Sequence, residues 1–165
     1  MMRVSERETI STRQQKIATL AGKAPAMVLN SLGHPIDLPW LEEAFRRTRQ
    51  DGAVGVDGVT AARYAERLTE NLSDLRERFK SGRYRAPPVR RVHLPKDGGK
   101  TRPIGIPTLE DKILQRAVLM ALEPVYEQDF LDGSYGFRPG GSPHQALDGL
   151  WQGLMAMGGG WVIDL

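Results

Sequence analysis

Apolar residues recur at helical spacing along most of this chain and alternate in a stretch near its middle. Between Leu38 and Gln50, Trp40, Leu41, Ala44 and Phe45 share one stripe, which predicts a helix with a core-packing face. The preceding residues read as helical and polar, broken at Pro25 and at the Gly33-His34-Pro35 turn. Tyr64, Leu68, Leu72, Leu75 and Phe79 predict a helix over 61–80 that is capped by Thr60 and stopped by Ser81-Gly82. Leu109, Ile113, Ala117, Met120 and Ala121 predict another, capped by Thr108, with Pro124 at its exit. A last helix starts at Ser142-Pro143, carries Leu147, Leu150, Trp151 and Leu154 on one face, and stops at Gly158. Trp161 to Leu165 reads as a short strand.

The alternating stretch, PVRRVHLPKDGGKTRPIGIP at 88–107, changes the picture most, because its two limbs carry cations and meet at Asp97-Gly98-Gly99. A three-residue loop pairs Leu94 with Arg102, Val92 with Ile104 and Lys96 with Lys100. Side chains alternate across a strand. This register therefore puts Val92, Leu94, Ile104 and Ile106 on one face, with Lys96, Lys100 and Arg102 at its outer end. A two-residue loop would split the cations between faces. A basic edge hairpin can serve solubility alone, but the same tip suits a polyphosphate or a nucleic-acid backbone.

Charge supports an anionic partner for one region. The 165 residues carry a formal charge of only +3, yet Arg76 to Arg102 hold ten Lys or Arg against Glu77 and Asp97, a local charge of +8. The remainder is net negative. Cysteine is absent, which excludes disulfides and thiolate metal sites. His34, His93 and His144 are too scattered for a metal pair at helical spacing. No apolar run approaches the eighteen or so residues of a membrane span, and MMRVSERET lacks a signal peptide's apolar stretch. The expectation is a cytoplasmic protein with no membrane partner.

Four segments in order resemble the N-terminal part of group II intron-encoded reverse transcriptases: GAVGVDGVT at 52–60, RVHLPKDGGKTRPIGIPTLEDKILQ at 91–115, LEPVYEQDFLDGSYGFRPGGSPHQAL at 122–147, and WVIDL at 161–165. The resemblance implies an α+β fold: the fingers and partial palm of a right-hand reverse transcriptase, with a projecting β-hairpin at about 89–106. Residues 1–50 would be an N-terminal helical extension, and 51–165 the fingers and first palm strand, truncated there. It implies that Lys96 and Arg102 hold the triphosphate of an incoming deoxynucleotide. Gly55, Gly58, Arg90, Arg91 and Arg138 would lie along the RNA template, with Tyr135 and Phe137 packed beneath that groove as buried anchors.

The implied function is that of the N-terminal portion of an RNA-directed DNA polymerase, with template RNA, primer, deoxynucleotide and intron RNA as partners. A different class, a non-catalytic RNA-binding or maturase-like module, would keep the same grip without polymerising. Polymerase chemistry uses carboxylates that bind two divalent metals, and Mg²⁺ is expected for the complete enzyme. The family's first catalytic aspartate would follow Leu165. Asp164 falls two positions early, about 7 Å short along a strand, and is assigned no catalytic role. The chain alone is expected to bind no metal and to be inactive.

Overall fold

The computed structural model describes residues 8–23 and 32–158. The break expected at Pro25, the terminal strand and Asp164 lie outside the described residues. Six helices and one hairpin follow in the order α1 (Ile10–Lys23), α2 (Leu38–Arg47), α3 (Ala61–Ala65), α4 (Leu68–Lys80), β1 (Arg90–Pro95), β2 (Thr101–Ile106), α5 (Leu109–Tyr126) and α6 (Pro143–Met157). This is a mostly helical α+β chain with a two-stranded antiparallel sheet. It divides into two compact units, residues 1–125 and 126–165. The first unit holds helices from both sides of residue 50.

The first unit is built on the stripes of α2, α4 and α5. Trp40, Leu41 and Ala44 of α2, Leu72 and Leu75 of α4, and Ile113, Ala117, Met120 and Ala121 of α5 are buried in one core with Ile36 and Tyr64. Trp40 ties the elements together: its indole N–H donates to the Ala117 carbonyl at 2.9 Å, and the Arg13 guanidinium of α1 lies 5.1 Å from its ring centre. Asp37 caps α2, accepting from the Trp40 amide, and Thr60 and Thr108 cap α3 and α5 in the same way.

Two helix expectations differ from the structure. The helix expected over 61–80 breaks at Glu66-Arg67, where Arg67 leaves helical geometry (φ −130°, ψ 42°). The side-chain amide of Asn71 donates to the Tyr64 carbonyl at 2.9 Å and so takes up a backbone acceptor freed by the break. Pro124 does not end α5, which runs on to Tyr126. A proline near a helix C-terminus removes a single amide donor, and the turn closes past it.

The Gly-rich segment between α2 and α3 is held against the start of α5. Gly55 is buried, and a Cβ there would lie 2.6 Å from the Thr108 Cα and 2.8 Å from its nitrogen. Only glycine permits that approach. Gly55→Ala should destabilise the fold by about 1–3 kcal/mol, the usual cost of forcing an extra methyl into a packed contact. A urea titration checks this, and an unchanged midpoint would show that the loop simply moves away. Gly58 stands in open space with φ +66°, a turn position that glycine fills without strain.

In the second unit, Ser142 caps α6 by accepting from the Gln145 amide, and Gly158 ends it with φ +69°. The predicted apolar face of α6 forms, but Leu147, Leu150 and Trp151 on it are exposed.

Candidate nucleotide and nucleic-acid interface

The hairpin has the three-residue loop that its sequence predicts. Leu94 pairs with Arg102, Val92 with Ile104 and Arg90 with Ile106, while the Lys96 amide donates to the Lys100 carbonyl at 2.8 Å. Asp97-Gly98-Gly99 form a single 3-10 turn, with Gly98 at φ 73° and Gly99 at φ 72°. Lys96 itself is extended (φ −128°, ψ 159°). Alternation therefore carries it to the side of Arg90, Val92 and Leu94, where Arg102, Ile104 and Ile106 also lie. Arg91 points to the opposite face. Val92, Ile104 and Ile106 are half-buried at the base, whereas Leu94 and every cation of the hairpin are exposed.

Contacts with α4 and α5 hold the segment that leads into the hairpin, and a close backbone approach marks its return limb. On the inbound side, the Tyr84 hydroxyl donates to Asp111 at 3.0 Å and its ring faces the Arg78 guanidinium at 5.6 Å. Arg78 in turn pairs with Asp74 and with Glu110 of α5, both at 2.7 Å. Burial, then the hydrogen bond to Asp111, pushes the Tyr84 phenol above the ordinary tyrosine range. Burial does the same to Tyr64, with the Glu110 carboxylate adding to it. On the outbound side, Gly105 lets Val89 cross the strand, since a Cβ there would meet Val89 Cγ2 at 2.9 Å.

Ion pairing sorts the cations of the +8 segment into two groups. Arg83 pairs with Glu77, Lys80 donates to the carbonyls of Gly33 and His34, and Arg85 to those of Gly82 and Tyr84. With Arg78 these are structural. The side chains of Arg90, Arg91, Lys96, Lys100 and Arg102 on the hairpin, and that of the exposed Arg76 on α4, have no hydrogen-bond or ion-pair partner among the described residues. The charge available to a ligand is concentrated on the hairpin.

Arg138 is engaged within its own loop. It pairs with Glu127 at 2.9 Å, donates to the Leu131 and Ser134 carbonyls at 2.8 and 2.9 Å, and lies 5.2 Å from the Phe130 ring centre. Tyr135 is half-buried, and its hydroxyl lies so near α6 that a Cβ at Gly149 would meet it at 2.7 Å. Phe137 departs from expectation: it is fully exposed (113%) and holds φ 59°, in the left-handed region that bulky residues avoid. The Arg138 contacts and the Gly141 amide bond to the Arg138 carbonyl fix the turn and carry its aromatic outward. Phe137→Gly should therefore stabilise the chain by about 0.5–1 kcal/mol, the strain relieved less the entropy glycine loses on folding. A lower urea midpoint would show that the ring contributes packing.

Among the described residues, no three His, Asp or Glu come together as metal ligands. Among the same residues, no helix is long and apolar enough to cross a membrane.

No protein-family model matches the chain. YkfC of Escherichia coli K12 is 44% identical over 162 residues, which cover 94% of this chain and 42% of YkfC. The group II intron-encoded protein LtrA of Lactococcus lactis is 43% identical over 94 residues, 56% of this chain and 15% of LtrA. The chain is homologous to group II intron-encoded proteins. Nuclear intron maturase 1 of Arabidopsis thaliana matches a shorter stretch, 42% identical over 41 residues, a quarter of this chain. The chain spans less than half the length of YkfC and LtrA, and the homology concerns that portion of them.

Proposed function

We propose that this chain forms the fingers of a group II intron-type RNA-directed DNA polymerase and that its hairpin grips both template RNA and the incoming deoxynucleotide. The observation that carries the reading is the register that sets Lys96 and Arg102 on one face of the hairpin tip, unpaired and exposed. A triphosphate needs converging cations, and charge-assisted bonds from Arg and Lys are roughly twice as strong as neutral ones. Arg90 continues the same face toward the base, and Arg91 serves the other, so a strand passing the hairpin meets positive charge on both sides. Gly55, Gly58 and Arg138 enter as residues that shape the loops beside the template. Mg²⁺ would supply the metal chemistry of the complete enzyme.

The test is RNA binding by the purified chain. The logarithm of affinity should fall linearly with the logarithm of salt, and Lys96→Gln with Arg102→Gln should flatten the slope by about 0.7 for each phosphate of a single strand that is no longer neutralised. Salt-insensitive binding, or a slope that ignores both substitutions, would remove the hairpin from the interface.

A further inference from the structure

A second group of cations comes together away from the hairpin. Arg49 and Gly52 on one wall and Lys112, Gln115, Arg116 and Leu119 of α5 on the other line a cleft of about 520 Å³. Arg49 lies 67 residues from Arg116 in sequence; the fold of the first unit joins them. The Lys112 ammonium donates to the Ala53 carbonyl at 2.6 Å, which pins it at the cleft and leaves two of its three donors free. Arg49 spends two donors on Asp51, at 2.7 and 3.1 Å. Arg116 is exposed and has no partner among the described residues.

The nearby carboxylates are already engaged. Asp51 is paired with Arg49, and the buried Asp111 takes the Tyr84 hydroxyl and the Gln115 amide. The cleft keeps a net positive charge with several N–H donors unused. Lys112 and Arg116 stand one helical turn apart, where like charges weaken a helix rather than support it. Their spacing, about 6 Å along the axis, is one that adjacent phosphates of a single strand can span. Leu119, 44% exposed, adds an apolar surface against which a ribose can rest.

We propose that Arg49, Lys112 and Arg116 form a second phosphate-binding site that holds the backbone of a single-stranded RNA, separately from the hairpin. The proposal extends the nucleic-acid reading above to a surface of α5, and its test separates the two. Affinity of the whole chain for a fluorescein-labelled polyuridine is measured across a salt series, with parallel calorimetry on inorganic tripolyphosphate at matched ionic strength. Arg116→Gln and Lys112→Gln should each weaken RNA binding about fivefold at 0.1 M salt and flatten the salt slope by about 0.7. These losses should add to those of Lys96→Gln and Arg102→Gln, and Arg116→Lys should bind as the parent does. If Arg116→Gln leaves affinity and slope unchanged while the hairpin variants weaken binding, the second site is overturned and the hairpin reading stands. If neither set matters, both fall. If tripolyphosphate binds through Arg116 while RNA ignores it, the occupant is a free polyphosphate and the proposal is overturned.

Discussion

Trp40→Ala should cost about 3–5 kcal/mol of folding stability, the usual penalty for truncating a fully buried aromatic. The side chain is 0% exposed and sits where α1, α2 and α5 meet. Truncation opens a cavity among Leu41, Ala117 and their neighbours in the core that α2 and α5 share. It also removes the indole N–H bond to the Ala117 carbonyl and the surface on which the Arg13 guanidinium rests. Native domains are stable by only about 5–15 kcal/mol, so the variant should be marginal. Trp40→Phe keeps most of the ring and loses mainly the hydrogen bond, which predicts a smaller loss of about 1–2 kcal/mol. Urea titrations with unchanged m-values check both, and a loss below about 1 kcal/mol for Trp40→Ala would mean that the core collapses around the gap.

The hairpin was legible because its two limbs and its loop must agree. A loop of odd length puts Val92, Leu94, Ile104 and Ile106 on one face where a two-residue loop would split them, and the ladder adopts the three-residue register. The stripe of α5 was legible for a similar reason, since its five apolar positions admit one buried face, and all five are buried. The break at Glu66-Arg67 was not. Apolar spacing runs straight through it, and what stabilises it is a side-chain amide, Asn71, reaching a carbonyl seven residues back.

Charge was legible as a total and not as a distribution. A count over Arg76 to Arg102 treats Arg78 and Arg102 alike, yet Arg78 is committed to Asp74 and Glu110 while Arg102 has no partner among the described residues. The Asp74 pair, at i and i+4 within α4, is a local pattern, but the Glu110 pair joins α4 to α5 and no local pattern encodes it. The Arg49, Lys112 and Arg116 cleft escaped the sequence for the same reason, although Lys112 and Arg116 at i and i+4 were a signal in plain view. Phe137 misled because aromatic residues beside glycine usually pack inward. Here the neighbouring arginine takes the loop's internal bonds and the ring is left outside.

Arg102→Ala should act on nucleotide use rather than on folding. Arg102 is exposed at the hairpin tip and its side chain has no hydrogen-bond or ion-pair partner among the described residues, so its truncation should move the melting temperature little. If the guanidinium grips a triphosphate in a closed, water-poor site, its loss should cost roughly 2–4 kcal/mol of transition-state stabilisation. The measurement follows single-nucleotide extension at varied deoxynucleotide concentration in a polymerase that contains these residues together with a palm bearing metal-binding carboxylates. The loss should fall on the deoxynucleotide KM or on turnover, while primer-template affinity changes by no more than one phosphate's worth of the salt slope. Arg102→Lys should recover part of it, because an ammonium keeps the charge without the bidentate geometry. Lys96→Ala should fail in the same direction, and the double variant should lose less than the sum, since both groups serve one ligand. Should Arg102→Ala instead lower the melting temperature enough to account for the whole loss, or leave the nucleotide dependence untouched while weakening the template alone, the hairpin tip would be a strand-binding element and the nucleotide would have to be held elsewhere.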